Sequence, residues 1–110
     1  MSAHHQQSLE KEIRKYASEY ITRESTRMSL ITLTRAEFSF DEKHVVIYVS
    51  VLPERAEPIA MNFLKRHQDD IRQYVVKHVR GGNMPWFRFT LDAGEKNRQK
   101  VDELLREDEE

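Results

Sequence analysis

Leu30-Ile31-Thr32-Leu33-Thr34-Arg35-Ala36-Glu37-Phe38-Ser39-Phe40 is the stretch on which the fold turns. It is rich in β-branched and aromatic residues, which suit a pleated, half-buried surface. Ile31 and Leu33 share one parity, whereas Ala36, Phe38 and Phe40 share the other. A strand sends successive side chains to opposite faces, so one face can hold both sets only if an extra residue intervenes. The pattern therefore predicts a β-bulge or a strong bend near Thr34–Arg35. Asp41 to Lys43 reads as a turn. His44 to Leu52 reads as a second strand, with Val45, Ile47, Val49 and Val51 on one face. So short a connection makes the two strands an antiparallel hairpin.

On the N-terminal side, Leu9, Ile13, Tyr16, Ala17, Tyr20 and Ile21 recur every three or four residues. They make one apolar stripe on a helix running to about Arg23, with Ser8 as its cap and residues 1–8 as a flexible lead. Glu24 to Ser29 reads as a loop. On the C-terminal side, Pro53 ends the second strand, and Pro58 suits the first turn of a long helix, where a missing N–H costs nothing. Ala60, Phe63, Leu64, His67, Ile71, Tyr74, Val75 and His78 share one face of that helix. Gly81-Gly82-Asn83 supplies a stop. A third strand spans Trp86 to Leu91, with Phe87, Phe89 and Leu91 facing in. Asp92-Ala93-Gly94 turns the chain into a closing helix, about Glu95 to Arg106, followed by an acidic tail at 107–110.

The order predicts one α+β domain over residues 9–106. A crossover joins the second and third strands, and the helices pack on one face of a three-stranded sheet.

Composition narrows the function. Hydrophobic residues make up 38% of the 110 residues and charged residues 34%, which supports a modest core under a charged surface. The chain has no cysteine, so disulfides and thiolate metal sites are excluded. No apolar run approaches a membrane span, and Met1 to Gln7 has no secretory or transit pattern, so a cytoplasmic protein without membrane contact is expected. His4 and His5 sit in a polar terminus and do not suggest a metal site.

The three glycines, Gly81, Gly82 and Gly94, cannot assemble a phosphate-binding loop of the P-loop or dinucleotide type. No serine lies in a nucleophile-elbow pattern. His67, Asp69 and Asp70 lie within one helical turn, and a small enzyme using His67 with Asp70 is a competing reading. A partly buried histidine beside solvated acids accounts for the same residues.

Charge is distributed unevenly. The net charge is −1, yet residues 60–91 hold six basic side chains against Asp69 and Asp70, whereas residues 92–110 are net −4. Lys65, Arg66, Arg72, Lys77 and Arg80 fall on the long helix, and Arg88 on the third strand. Such a row can meet phosphates and release counterions. A solvated helix face with Asp69 and Asp70 as intrahelical partners explains it equally simply. Trp86 is the aromatic residue of the third strand expected to be exposed, where it could stack on a base or cover the sheet edge.

Three stretches carry a resemblance to a known family. Leu33 to Ser39, leading into Asp41, is similar to that family's first strand. Lys43 to Val51 is similar to its second. Met84-Pro85-Trp86-Phe87-Arg88-Phe89 with Asp92, then Val101 to Leu105, resembles its proline-led third strand and closing helix. Ile13-Arg14-Lys15 also fits. Over roughly Leu9 to Leu105 the sequence resembles the bacterial ribosome-binding factor A family.

The resemblance implies an αββααβ core of the KH-like (type II) kind. It implies association with the small ribosomal subunit and its ribosomal RNA during late maturation, with neither catalysis nor a cofactor, and a monomer is expected. Lys65, Arg66, Arg72, Lys77, Arg80 and Arg88 would then contact RNA. Two departures stand out. The G-x-x-G loop of a standard KH domain is missing. At the family's alanine-x-glycine kink this chain has His67, Gln68 and Asp69. An interaction module that kept the fold and lost RNA binding is the alternative.

Overall fold

The computed structural model describes residues 3–25, 29–80 and 82–92. In chain order its elements are α1 (Ala3–Glu24), β1 (Leu30–Phe38), β2 (His44–Leu52), a 3-10 turn (Glu54–Ala56), α2 (Glu57–His78) and β3 (Trp86–Leu91). The strands form one sheet in the order β1-β2-β3. The β1–β2 pair is antiparallel and the β2–β3 pair parallel, so α2 is the crossover that a parallel pair requires. This is the α+β, KH-like arrangement expected from the sequence.

From Ile31 to Phe38 the change of parity is met by a bulge. Leu33 pairs with Val49 and Arg35 with Tyr48, which leaves Thr34 as the extra residue of a bulge. Leu33 is buried, and Ala36 and Phe38 pack against the same core. Phe40 does not join them. The strand ends at Phe38, and Phe40 lies on the turn with 98% exposure. The turn claims it because Ser39 N–H donates to His44 C=O at 2.8 Å and closes the ladder before Phe40.

That turn is held by one serine and one aspartate. The Ser39 hydroxyl donates to Asp41 Oδ1 at 2.6 Å, and Lys43 N–H donates to the same oxygen at 3.0 Å. His44 N–H donates to Ser39 Oγ at 3.1 Å. The Ser39 hydrogen bond first, then the Lys43 N–H, hold the Asp41 carboxyl below its ordinary range. A carboxylate lowered on folding adds stability above its unfolded pKa and loses it as pH falls through the folded one. Between neutral pH and about pH 5, Asp41→Asn should therefore be the less stable protein. The difference should close as pH drops below the usual carboxylate range, and urea denaturation at several pH values checks this.

The core lies between one sheet face and the two helices. Leu9, Ile13, Ala17 and Ile21 enter it from α1, and Ala60, Leu64, Ile71 and Val75 from α2. Val45, Ile47, Val49, Val51 and Phe87 meet them from the sheet. Removing a buried aliphatic side chain from such a core costs about 2–5 kcal/mol. On the opposite sheet face, Val46 and Tyr48 are also fully buried, so the central strand is covered on both sides.

Tyr48 is covered by residues of the bulge. The Arg35 guanidinium lies 3.8 Å from its ring centroid, and its hydroxyl donates to Glu37 Oε2 at 3.0 Å. Arg35 also pairs with Glu37 at 2.7 Å, and the Thr34 hydroxyl donates to Asp92 at 2.7 Å. The Thr34-Arg35-Ala36-Glu37 motif and Asp92 thus lock the bulge to the end of β3.

The helix ends differ from the sequence reading. Helix α1 begins at Ala3, so Ser8 lies inside it rather than capping it. Helix α2 runs unbroken through His67, Gln68 and Asp69, in keeping with the missing alanine-x-glycine kink. No helix breaker stands between residues 59 and 78, and kinks need one. It ends at His78, with Val79 extended, two residues before the glycines. The expected closing helix and acidic tail lie outside the described residues.

Candidate nucleic-acid interface

The six basic residues singled out from the sequence do not form one patch. Three belong together. Lys65, Arg66 and Lys77 are exposed on the outer face of α2, opposite the buried Ala60, Leu64, Ile71 and Val75. Twelve residues of helix separate Lys65 from Lys77, a span of about 18 Å. Asp69 and Asp70 stand exposed between them. Arg80, also exposed, follows the end of α2 and lines a crevice with Ser8 and Glu12 of α1. Arg88 lies on the other side of the molecule. It is beside Val46 in register, and its strand neighbours Phe87 and Phe89 point to the helices.

Arg72 does not stand free in solvent as its place off the apolar stripe suggests. It is half-buried on the flank of α2 facing β3. Its Nε donates to Pro85 C=O at 3.0 Å and its Nη2 to Met84 C=O at 2.7 Å. Its guanidinium lies 4.1 Å from the Trp86 ring centroid. The planar fork suits two adjacent carbonyls and the ring at once, which an ammonium could not do. Arg72 therefore shapes the loop entering β3.

The result is a second feature at the same end of the molecule. Trp86 N–H donates to Lys43 C=O at 2.8 Å, which ties β3 to the hairpin turn. Glu42, Lys43, His44, Arg72, Asn83, Met84, Pro85 and Trp86 enclose an open groove of about 620 Å³. Trp86 is 52% exposed beside it, as expected from the sequence. The sequence reading missed Lys43 because turn lysines are unremarkable until a strand elsewhere in the chain brings an aromatic ring beside them.

His67 lies in the seam between α1 and α2. The Tyr20 hydroxyl is 3.0 Å from its Nδ1, Phe63 packs against its ring, and Asp70 is 3.7 Å away. Burial first, then the Asp70 charge, push the Tyr20 hydroxyl above its ordinary range. Tyr16 and His78 stack further along the seam, with ring centroids 4.8 Å apart. The pair His67–Asp70 is thus part of helix packing. Among the described residues no three His, Asp or Glu side chains are grouped to hold a metal ion. No described helix is long and apolar enough to cross a membrane.

Comparison with known proteins agrees with the architecture. A family model described as ribosome-binding factor A matches residues 5–105. The ribosome-binding factor A of Fervidobacterium nodosum is 34% identical over 103 residues, covering 88% of this chain and 82% of that protein. A solution structure of a Thermotoga maritima protein, described as a putative ribosome binding factor A, superposes with a TM-score of 0.61 at 29% identity. It covers 76% of this chain and 82% of that one. A homology model of the Thermus thermophilus factor, fitted into a cryo-EM map of a complex between the 30S subunit and that factor, gives a TM-score of 0.63 at 21% identity. It covers 76% of this chain and 90% of that one. The bulge-locked hairpin, the parallel crossover and the match across residues 5–105 lead to one assignment: the chain belongs to the ribosome-binding factor A family.

Proposed function

We propose that this protein associates with the small ribosomal subunit and its ribosomal RNA during late maturation, in support of RNA processing and assembly. The observation that carries the reading is family membership across nearly the whole chain. The Thermus thermophilus factor, seen in a complex with the 30S subunit, supports the choice of partner. On this reading Lys65, Arg66, Lys77 and Arg80 meet phosphates, Arg88 makes a separate contact, and Arg72 acts by shaping the loop at Trp86. Phosphate contacts of this kind give affinity and register, not sequence selection. No cofactor and no catalytic step enter the reading, and the protein works as a cytoplasmic monomer.

The rival is a module that recognises ribosomal or other proteins without touching RNA. The interleaved Asp69 and Asp70 and the scattering of the six cations favour it. Co-sedimentation with purified small subunits across a salt series separates the two. RNA contact through three or four cations predicts that log affinity falls with log salt at a slope of about −2 to −4. A flat salt response, with binding retained after nuclease treatment, would favour the rival.

A further inference from the structure

We propose that Trp86, backed by Arg72, is a stacking platform for one unpaired RNA base, with the groove beside it holding the flanking backbone. The inference rests on the RNA-contact reading above and names a site for it.

The platform is built before any ligand arrives. One face of the indole is covered by the Arg72 guanidinium at 4.1 Å, and the residue is still 52% exposed. With that face taken by Arg72, a base would stack on the opposite one. Arg72 cannot swing away cheaply, since its Nε and Nη2 are committed to Pro85 and Met84 at 3.0 and 2.7 Å. Pro85 and Met84 are themselves buried. The Trp86 backbone is fixed by its bond to Lys43 and by the parallel ladder with His44. A ring held in place loses little freedom when a base stacks on it, which is the gain from preorganisation.

The surroundings suit a nucleotide better than an apolar side chain. The groove offers the Lys43 ammonium and the Asn83 amide, with Glu42 as its one acid. A lysine beside a stacking ring can meet the phosphate next to the stacked base, and an amide can pair with a base edge. A flat ring accepts any base, so the site predicts a preference for single strands over duplexes, with weak sequence preference. The outer cations of α2 would hold backbone further along.

Trp86 is the sole tryptophan, so its fluorescence reports the site directly. The full-length protein is titrated at low ionic strength with a single-stranded adenylate octaribonucleotide, with a blunt RNA duplex and with inorganic polyphosphate. Quenching and a shifted emission maximum are expected with the single strand, and much less with the other two. Trp86→Ala should weaken binding of the octanucleotide, followed by anisotropy of a labelled strand, by about tenfold or more, and Trp86→Phe should restore most of it. Urea denaturation of the variants identifies any loss due to misfolding, and Trp86→Leu, which keeps apolar bulk without an aromatic face and should also weaken binding, carries the comparison if the alanine variant does not fold.

Equal quenching by polyphosphate would overturn the platform, because charge alone would then explain the signal. No quenching by the single strand would also overturn it. So would a folded Trp86→Ala variant that binds the strand normally. If Trp86→Ala loses small-subunit binding without any RNA quenching, the ring meets a protein surface and the proposal fails. If the wild-type protein does not co-sediment with small subunits at all, the broader functional reading fails independently of the fluorescence result.

Discussion

Replacing Lys65, Arg66 and Lys77 together by glutamate is expected to lower affinity for purified small subunits by about a hundredfold and to flatten the salt dependence by about three units of slope. All three side chains are exposed on one helix face and sit on neither sheet nor loop, so they have little structural work to lose. The reversal does carry a helix cost. Lys65 precedes Asp69 by four residues and Arg66 precedes Asp70 by four, so glutamates there create like-charge neighbours at about 0.2–0.5 kcal/mol each. Lys77 lies in the last turn of α2, where a cation complements the helix dipole, and its reversal costs about 0.3–1 kcal/mol. The matching triple glutamine variant avoids most of that cost. It should lose affinity by about tenfold while melting close to the wild type. Normal co-sedimentation of a folded triple glutamate variant would remove the outer face of α2 from the interface.

Arg72→Ala should destabilise the protein by about 2–3 kcal/mol, as read from the urea midpoint at constant slope. Two charge-assisted hydrogen bonds are lost from the carbonyls of Met84 and Pro85, together with a cation–π contact worth about 0.5–1 kcal/mol. Water can reach part of this half-buried site and rehydrate the carbonyls, which keeps the figure below the sum of the separate terms. Arg72→Lys should recover less than half of the loss. A single ammonium cannot donate in the plane to both carbonyls and also lie flat on the indole. The emission of Trp86 should shift in both variants, because its covered face is opened. An Arg72→Lys variant as stable as the wild type would show that charge, not the planar fork, holds the loop. The same result makes Arg72 a poor residue for testing phosphate contact, since its loss disturbs the loop and the ring together.

Much of the fold was legible because burial imposes short periods on the chain. The change of parity between Leu33 and Ala36 had one economical solution, an extra residue, and Thr34 is that residue. The alternation in His44–Leu52 set which face meets the helices. Pro58 marked the start of α2, and a long helical segment between two strands pointed to the crossover. The unbroken α2 follows equally from the residues present, since nothing at His67-Gln68-Asp69 interrupts a helix.

The start of α1 was less legible. Ser8 has the chemistry of a cap, yet the helix continues back to Ala3. Capping preference is a weak local signal, worth about 1 kcal/mol, and a neighbouring residue can do without it. Phe40 misled for a related reason. Its parity was right for the core, but parity counts only while the strand continues, and the Ser39–His44 bond ends it.

The sequence by itself determined the hairpin with its bulge, the crossover and the core faces, because each depends on which residues within a few positions are apolar. Only the tertiary structure decided what each cation does. Arg72 and Lys77 look alike in the sequence, five positions apart on one helix. One meets carbonyls 12 and 13 residues away and a tryptophan ring, and the other stands in solvent. Arg88 is likewise separated from the helix cations by the thickness of a sheet. A charge acts through whatever lies within a few ångströms of it, and residues distant in the chain set that neighbourhood only once the fold has closed.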